Sequence, residues 1–296
     1  MNKNVGYDVK DKDDSICNGF GINNRTENSS AQFIRGLDWK SETAMVSLSF
    51  TLLLVAGCAA VLANPAKIED FPSIVQVETG YGRVWLQTCV GTILTSRHVL
   101  TAAHCLVGTA LTPKMSRVRA GAGERGRDGQ IVDVDSAIRH PDYTFKRFDS
   151  NVGIIRLAAY FSFSDKVARA TIVASGVVFP ANVAVTVASW GRTAQDVIWA
   201  DRDLTSTRLY TTDNKACAAR YADLPIPITI TSNMICTAIP GTTGTHWGIR
   251  DGGSPVFYDG ILVGFLSFGS PYGEKFPLVA TSVSSFTDWI VENASY

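Results

Sequence analysis

The residues best placed to do chemistry are a histidine and the cysteines around it. The stretch Ile93–Cys105 closes on a histidine and a cysteine: its first half predicts a buried strand, and its Thr-Ala-Ala-His-Cys end predicts a tight turn. Cys89 lies far enough upstream for a disulfide to fasten that turn. A histidine held in this way can act as a general acid or base near neutral pH, although a structural histidine beside a disulfide is the more ordinary interpretation.

Two strings around this histidine resemble the histidine loop of the trypsin-like (chymotrypsin-fold) serine peptidases, and they look most like secreted insect trypsins. They are Cys-Val-Gly-Thr-Ile-Leu at 89–94 and Thr-Ala-Ala-His-Cys at 101–105. The resemblance implies an all-β fold of two packed six-stranded antiparallel β-barrels with a C-terminal α-helix. It also implies that His104 is the family's catalytic histidine and that the disulfides are Cys89–Cys105 and Cys217–Cys236.

A trypsin-like enzyme needs a serine that attacks, a histidine that takes its proton, and an aspartate that orients and stabilises the imidazole. The segment around Asn151 is similar to the family's aspartate region, but a carboxamide stands there in place of the carboxylate. A carboxamide can hold the ring in the wrong tautomer, and in a related protease this change costs about 10⁴ in turnover. Asp149, two residues away on the same side of an extended segment, is the alternative carboxylate.

The nucleophile region, Gly248–Pro255, resembles the family's Cys-x-Gly-Asp-Ser-Gly-Gly-Pro motif, and Asp251 matches its aspartate. Gly252 occupies the position of the serine, so no side chain can be acylated there. Loss of the serine in a related mechanism costs on the order of 10⁶ in turnover. Ser254 is an alternative nucleophile two positions late, outside the turn that presents the serine. Arg250 replaces the glycine whose N–H would face the oxyanion, and its side chain could fill the cleft.

Two departures concern the specificity pocket. The cysteine expected at Gly248 and its partner expected near Ser270–Gly273 are both missing, so the disulfide that frames the pocket in the family is absent from this sequence. His246 occupies the position that is an aspartate in trypsins, where it selects lysine or arginine. Tryptic specificity therefore does not carry over to this chain.

A further departure concerns activation. Family members are activated by cleavage before a motif resembling Ile-Val-Gly-Gly, and the new amino group pairs with the aspartate equivalent to Asp251. That motif is absent here, because the sequence runs from Asn64–Lys67 directly into Ile68–Pro72. We therefore expect Asp251 to pair with Arg250 or to face water.

The C-terminal residues predict a helix. Ser285 and Asp288 have the capping-box spacing, and Phe286, Trp289 and Ile290 form one apolar stripe.

Composition sets broad limits on the protein class. The chain has 296 residues, of which 46% are hydrophobic, and its formal net charge is zero. It can therefore bury a large core, and it has no electrostatic attraction to nucleic acid or acidic membranes. No spacing of histidine, cysteine and carboxylate residues predicts a metal site, and no cofactor is implied.

The sequence divides into three segments. Residues 1–44 are polar and mixed in charge, which predicts a disordered extension. Residues 45–63 begin with methionine, are apolar and end in a small-x-small pattern, so they predict a secretory signal peptide cleaved before Asn64, or alternatively a signal anchor. We hypothesise that translation begins at Met45 and that residues 1–44 are an artefact of the gene model. Residues 64–296 form the trypsin-like domain.

These features predict a secreted, extracellular, monomeric serine protease homologue without catalytic activity. A protease, a protease inhibitor or a cascade component is the expected protein partner, since a peptidase groove can bind without turnover. The alternative is an active extracellular serine endopeptidase of digestive type, as family membership alone would suggest. A decaying gene copy with no selected role is a third interpretation.

Overall fold

Two closed β-barrels make up the part of the chain that the structure describes. In this computed structural model that part comprises residues 64–107, 113–145, 147–191, 203–239, 251–269 and 276–295. The predicted segments 1–44 and 45–63 lie outside it. The α-helices are α1 (Asn214–Ala222) and α2 (Thr287–Asn293). The strands are β1 (Asn64–Pro65), β2 (Ile74–Tyr81), β3 (Val84–Ile93), β4 (His98–Thr101), β5 (Ser116–Ala120), β6 (Gln130–Arg139), β7 (Gly153–Leu157), β8 (Thr171–Ile172), β9 (Ala184–Ser189), β10 (Thr205–Thr211), β11 (Met234–Ala238), β12 (Pro255–Tyr258), β13 (Ile261–Phe268) and β14 (Leu278–Ser282).

The first barrel has the strand order β2-β3-β4-β7-β6-β5, and pairing of β5 with β2 closes it. All neighbouring strands are antiparallel. Val77 lies opposite Val118 across the closing pair, and both side chains are buried in the core. Alternate residues of each strand face the interior, so the apolar positions that the sequence places two apart fill the barrel.

The second barrel has the order β10-β11-β14-β13-β12-β9 and is closed by antiparallel pairing of β9 with β10. Two short strands flank it: β1 pairs with β10, and β8 pairs with β13 in parallel. Buried residues of both barrels form one continuous hydrophobic cluster. The predicted fold, two six-stranded antiparallel barrels followed by a C-terminal helix, is confirmed.

Strand pairing places the histidine turn at the end of the first barrel. β4 ends at Thr101, whose Cα lies opposite that of Gly153, the first residue of β7. A 3₁₀ turn over Ala103–Leu106 follows β4, and the Cys89–Cys105 disulfide joins this turn to β3. The predicted bridge is therefore present, and it holds the turn against the barrel.

The second predicted disulfide is also present and joins Cys217 on α1 to Cys236 on β11. Each bridge stabilises the fold by about 3 kcal/mol on a chain-entropy estimate. Disulfides are typical of proteins that fold in an oxidising compartment.

The C-terminal helix differs in one detail from the prediction. Phe286 and Ile290 are buried, as the apolar stripe predicted. The capping box is wrong, because α2 begins at Thr287 and no side chain caps it. β14 passes through the 3₁₀ turn Val283–Ser285 directly into α2, and the Phe286 N–H donates to the Val283 carbonyl at 2.9 Å.

In the described ranges, neither α-helix has the length and hydrophobicity that a membrane span requires.

Candidate functional site

The candidate site lies where the ends of β4 and β7 meet. His104 follows β4 by three residues and Asn151 precedes β7 by two, so the antiparallel pairing of these strands brings the two side chains together. Phe148 and Ser150 adopt left-handed backbone conformations, with φ of 52° and 53°. Such conformations are costly for residues other than glycine and are found at functional turns. Here they turn Asn151 into the protein, where it is fully buried.

Hydrogen bonds fix the orientation of the Asn151 amide. Its Oδ1 accepts the main-chain N–H of His104 at 2.9 Å. Its Nδ2 donates to the Ser267 hydroxyl at 2.7 Å and lies 2.9 Å from Nδ1 of His104. The two N–H groups of the amide therefore point at Ser267 and at the imidazole.

This orientation decides the tautomer of His104. Because Asn151 donates to Nδ1, that nitrogen must be an acceptor, and the single proton of the neutral ring resides on Nε2. Nε2 lies 3.6 Å from the Sγ atom of Cys105, a weak acceptor for that proton. A general base for a serine hydroxyl needs the opposite arrangement, with an unprotonated Nε2.

Burial lowers the pKa of His104 below its ordinary value, because the charged imidazolium loses hydration. The hydrogen bond between His104 and Asn151 acts in the opposite direction and raises the pKa, but burial is the larger cause. The net shift favours the neutral ring near neutral pH.

Gly252 lies directly against the imidazole, as the resemblance to the nucleophile motif implied. A β-carbon at Gly252 would overlap Nε2 of His104 and would lie 2.9 Å from its Cε1 atom and 3.3 Å from Sγ of Cys105. The histidine ring therefore occupies the space that a serine side chain would need.

The backbone around Gly252 is held by hydrogen bonds to both barrels. The Gly252 carbonyl accepts the N–H of Val90 at 2.8 Å, and the Gly253 N–H donates to Leu266 at 2.8 Å. Gly253 has a φ of +84°, and a β-carbon there would overlap the Val90 carbonyl. This conformation requires glycine, so the turn of the motif is kept although its nucleophile is not.

The two alternative catalytic residues are engaged elsewhere. The Asp149 carboxylate accepts hydrogen bonds from the Thr231 hydroxyl at 3.0 Å and from the Asn233 amide at 3.1 Å. The Ser254 hydroxyl is buried and donates to Ser189 at 2.9 Å. Neither side chain is hydrogen-bonded to His104.

Asp251 is 6% exposed, and the Ser189 hydroxyl donates to its Oδ1 at 2.6 Å. The expectation that this carboxylate faces water is therefore wrong, because the second barrel encloses it. Arg250, the other expected partner, lies outside the described residues. So do the remaining residues assigned to the oxyanion region and pocket: His246, Gly248 and Ser270–Gly273.

One group of three potential metal ligands occurs in the described part of the chain. The ligand atoms of Cys89, His104 and Cys105 all lie within 4.8 Å of one another. Both sulfurs belong to the disulfide, so they offer no thiolate to a metal.

Sequence reasoning missed two serines of this site, Ser189 and Ser267, and considered Ser254 only as an alternative nucleophile. Ser254 carried a signal, because it replaces a glycine of the family motif, but its partner could not be read from the sequence. Ser267 lies within the apolar strand β13, where nothing in the sequence marked its hydroxyl as the acceptor for Asn151.

Comparison with known proteins agrees with this geometry. The family model described as Trypsin matches residues 61–290. Alkaline trypsin C of Manduca sexta is 31% identical over 258 residues, which cover 83% of this chain and 99% of that protein. Trypsin CFT-1 of Choristoneura fumiferana is also 31% identical, over 82% of this chain and 99% of that protein.

Solved structures show the same fold. The scabies mite inactivated protease paralogue S-D1 is 23% identical and superposes with a TM-score of 0.71 over 79% of this chain and 97% of that chain. Mouse neuropsin, a serine protease, superposes with a TM-score of 0.67 at 22% identity, over 79% of this chain and 99% of that chain. Motif, fold and sequence similarity thus agree, and the chain belongs to the trypsin family of serine peptidases.

Proposed function

We propose that this chain is a secreted, non-catalytic member of the trypsin family that binds another protein through its altered cleft or its barrel surface. The observation that carries the proposal is the contact between Gly252 and His104, where the family's nucleophile would be. Without a side chain at Gly252 no acyl intermediate can form at this position. The names of the similar proteins include trypsins and an inactivated paralogue, so similarity alone does not decide between the two classes.

The state of His104 supports the same conclusion. Asn151 donates to Nδ1 and leaves the proton on Nε2, so the imidazole cannot take a proton from a nucleophile. Among the described residues, Nε2 contacts the sulfur of Cys105 and no hydroxyl group. An active enzyme would need a replacement nucleophile, carboxylate and oxyanion hole together.

The alternative is an active extracellular serine endopeptidase, which the names of the insect relatives favour. A serine-directed covalent reagent and a broad peptide-substrate panel distinguish the two. We expect the purified full chain neither to be labelled nor to hydrolyse the panel, with an insect trypsin as the positive control. Turnover at ordinary protease rates would overturn the proposal of a non-catalytic protein.

The binding role needs its own test, since loss of catalysis does not establish recognition. A protein inhibitor that inserts a reactive loop into trypsin clefts is a suitable probe for an inhibitor-binding function. We expect the chain to compete for this inhibitor and to release activity from inhibited trypsin. If the chain bound neither the inhibitor nor an active trypsin, the proposal that its cleft binds a protease inhibitor or a protease would lose its support.

A further inference from the structure

A cavity of about 380 Å³ lies at the junction of the two barrels, apart from the candidate site. It is lined by Asp70–Ser73 before β2, by Arg169–Thr171 at the start of β8, and by residues of the β12–β13 hairpin. β12 begins shortly after the Gly252 turn and ends at this cavity, so the cavity and the candidate site lie at opposite ends of that strand. The volume is within the range of pockets that bind small molecules.

Main-chain hydrogen bonds hold the walls of this cavity in place. The Pro72 carbonyl accepts the N–H of Ala168 at 2.9 Å, and the Ser73 carbonyl accepts the N–H of Ile93 at 2.8 Å. The Ile93 carbonyl in turn accepts the N–H of Ala170 at 2.8 Å. The fold itself therefore sets the shape of the cavity, and binding of a ligand would require little ordering of these segments.

Part of the cavity wall is apolar. The rings of Phe71 and Phe257 lie 6.0 Å apart, and Phe257 belongs to the buried core against which Phe71 packs. Pro72 and Ala170 extend this apolar wall. Such a surface can cover the methylene groups of a long side chain whose charged end stays at the rim, which stabilises a ligand in proportion to the apolar area removed from water.

Three charged residues line the same cavity, namely Asp70, Arg169 and Asp259, and all three are exposed. Within the described ranges none of them forms an ion pair with another residue. Two carboxylates and one guanidinium are complementary to a ligand that carries two cationic groups and one carboxylate.

We propose that this cavity binds a basic amino acid, arginine or lysine, whose methylene groups pack against Phe71 and Phe257. The α-ammonium and the cationic side chain of the ligand pair with Asp70 and Asp259, and its carboxylate pairs with Arg169. A peptide that ends in arginine or lysine offers the same side chain and carboxylate without the α-ammonium, and the test below distinguishes the two. The inference goes beyond the proposed function and is independent of it, because no residue of the cleft takes part.

The first test is a titration of the purified full chain with L-arginine, followed by nitrogen-15 NMR. We expect shift changes at the amides of Phe71, Ala170 and Gly260 and a Kd of about 1 mM, as is typical of a small ligand held by exposed charges. Nα-acetyl-arginine, which stands for the end of a peptide, should bind about threefold more weakly, because one exposed ion pair is lost. Equal or tighter binding of the acetyl derivative would overturn the assignment to a free amino acid. The absence of shift changes well above this Kd, or the same changes with L-glutamate, would overturn the site itself.

The second test changes the charges of the cavity. D70N/D259N should raise the Kd for L-arginine about tenfold, because two exposed ion pairs are lost. Asparagine tolerates the positive φ of 48° at position 259, so this variant keeps the hairpin turn. The matched control is E69Q, which removes a neighbouring exposed carboxylate that pairs with Lys166 and does not line the cavity, and it should leave the Kd unchanged.

R169Q tests the carboxylate contact separately. This variant should weaken the binding of L-arginine about threefold and should leave the binding of argininamide, which has no carboxylate, unchanged. Equal Kd values in D70N/D259N and E69Q, or an equal loss of both ligands in R169Q, would overturn the proposed arrangement of charges.

Discussion

The histidine turn of the first barrel and the glycine turn of the second barrel differ from the family motifs in opposite ways. In the first, the histidine of the family motif, His104, is present, and its neighbour Asn151 donates to Nδ1, which leaves the ring proton on Nε2. In the second, the backbone turn of the motif is present, with the positive φ of Gly253 and its bond to Leu266, but Gly252 has no side chain. Strand pairing and main-chain hydrogen bonds hold both turns, so the backbone of the turns does not depend on which side chains stand at positions 151 and 252.

The largest expected effect is on turnover by variants that introduce the family residues at positions 252 and 151. G252S alone should remain close to inactive, because Asn151 leaves the His104 proton on Nε2. The double variant N151D/G252S should turn over peptide substrates about 10⁴ times faster than G252S, the effect of the same carboxylate-to-amide change in a related protease. Steady-state hydrolysis of the substrate panel measures both. Equal rates in the two variants would mean that the tautomer of His104 does not limit turnover.

The glycines of the second turn offer a matched pair for stability. G253A should lower the free energy of unfolding by about 3 kcal/mol, because its β-carbon overlaps the Val90 carbonyl and its φ is positive. G252A should cost about 1 kcal/mol, since its β-carbon meets the His104 side chain, which can move aside. Urea unfolding of both variants measures the difference. A larger loss in G252A would show that the imidazole is held more rigidly than the turn.

The free energy of unfolding at acid pH depends on the protonation of His104. Because burial lowers its pKa, the unfolded chain binds a proton at this residue at a higher pH than the folded chain does. The free energy of unfolding should therefore fall as the pH drops below the ordinary histidine pKa of about 6.5, by at most about 1.4 kcal/mol per pH unit. H104Q should lack this component. Parallel pH profiles of wild type and H104Q in urea unfolding would contradict the expectation.

The smallest expected effect is a change in which ring nitrogen of His104 carries the proton. Nitrogen-15 chemical shifts of the His104 ring should show a protonated Nε2 in the wild type, since Asn151 donates to Nδ1. N151D supplies an acceptor, so the proton should move to Nδ1. A wild-type ring protonated at Nδ1 would mean that the Asn151 amide has the reverse orientation.

Much of the fold could be predicted from short motifs. The Thr101–Cys105 string identified the family resemblance, and both disulfides and the two barrels followed from it. The start of α2 could not be predicted from Ser285, because Ser285 lies in the 3₁₀ turn that follows β14, where the Phe286 N–H donates to the Val283 carbonyl. Local propensity was overridden there by the connection to the barrel.

The hydrogen-bond partners of the candidate site residues could not be predicted from the sequence. Asp149 accepts hydrogen bonds from Thr231 and Asn233, which are more than 80 residues away in sequence and are brought close only by folding. The hydrogen bond from Ser189 to Asp251 likewise joins residues that are 62 positions apart. Hydrogen bonds at this separation leave no local pattern in a sequence.

The sequence by itself determined that position 252 carries no nucleophile and position 151 no carboxylate, because the absence of a functional group is a property of the residue and needs no coordinates. Only the tertiary structure decided which nitrogen of His104 carries the proton, and that the Ser189 hydroxyl donates to Asp251. Those outcomes depend on distances and orientations between segments, which are set when the barrels close and the amide and hydroxyl groups find their partners.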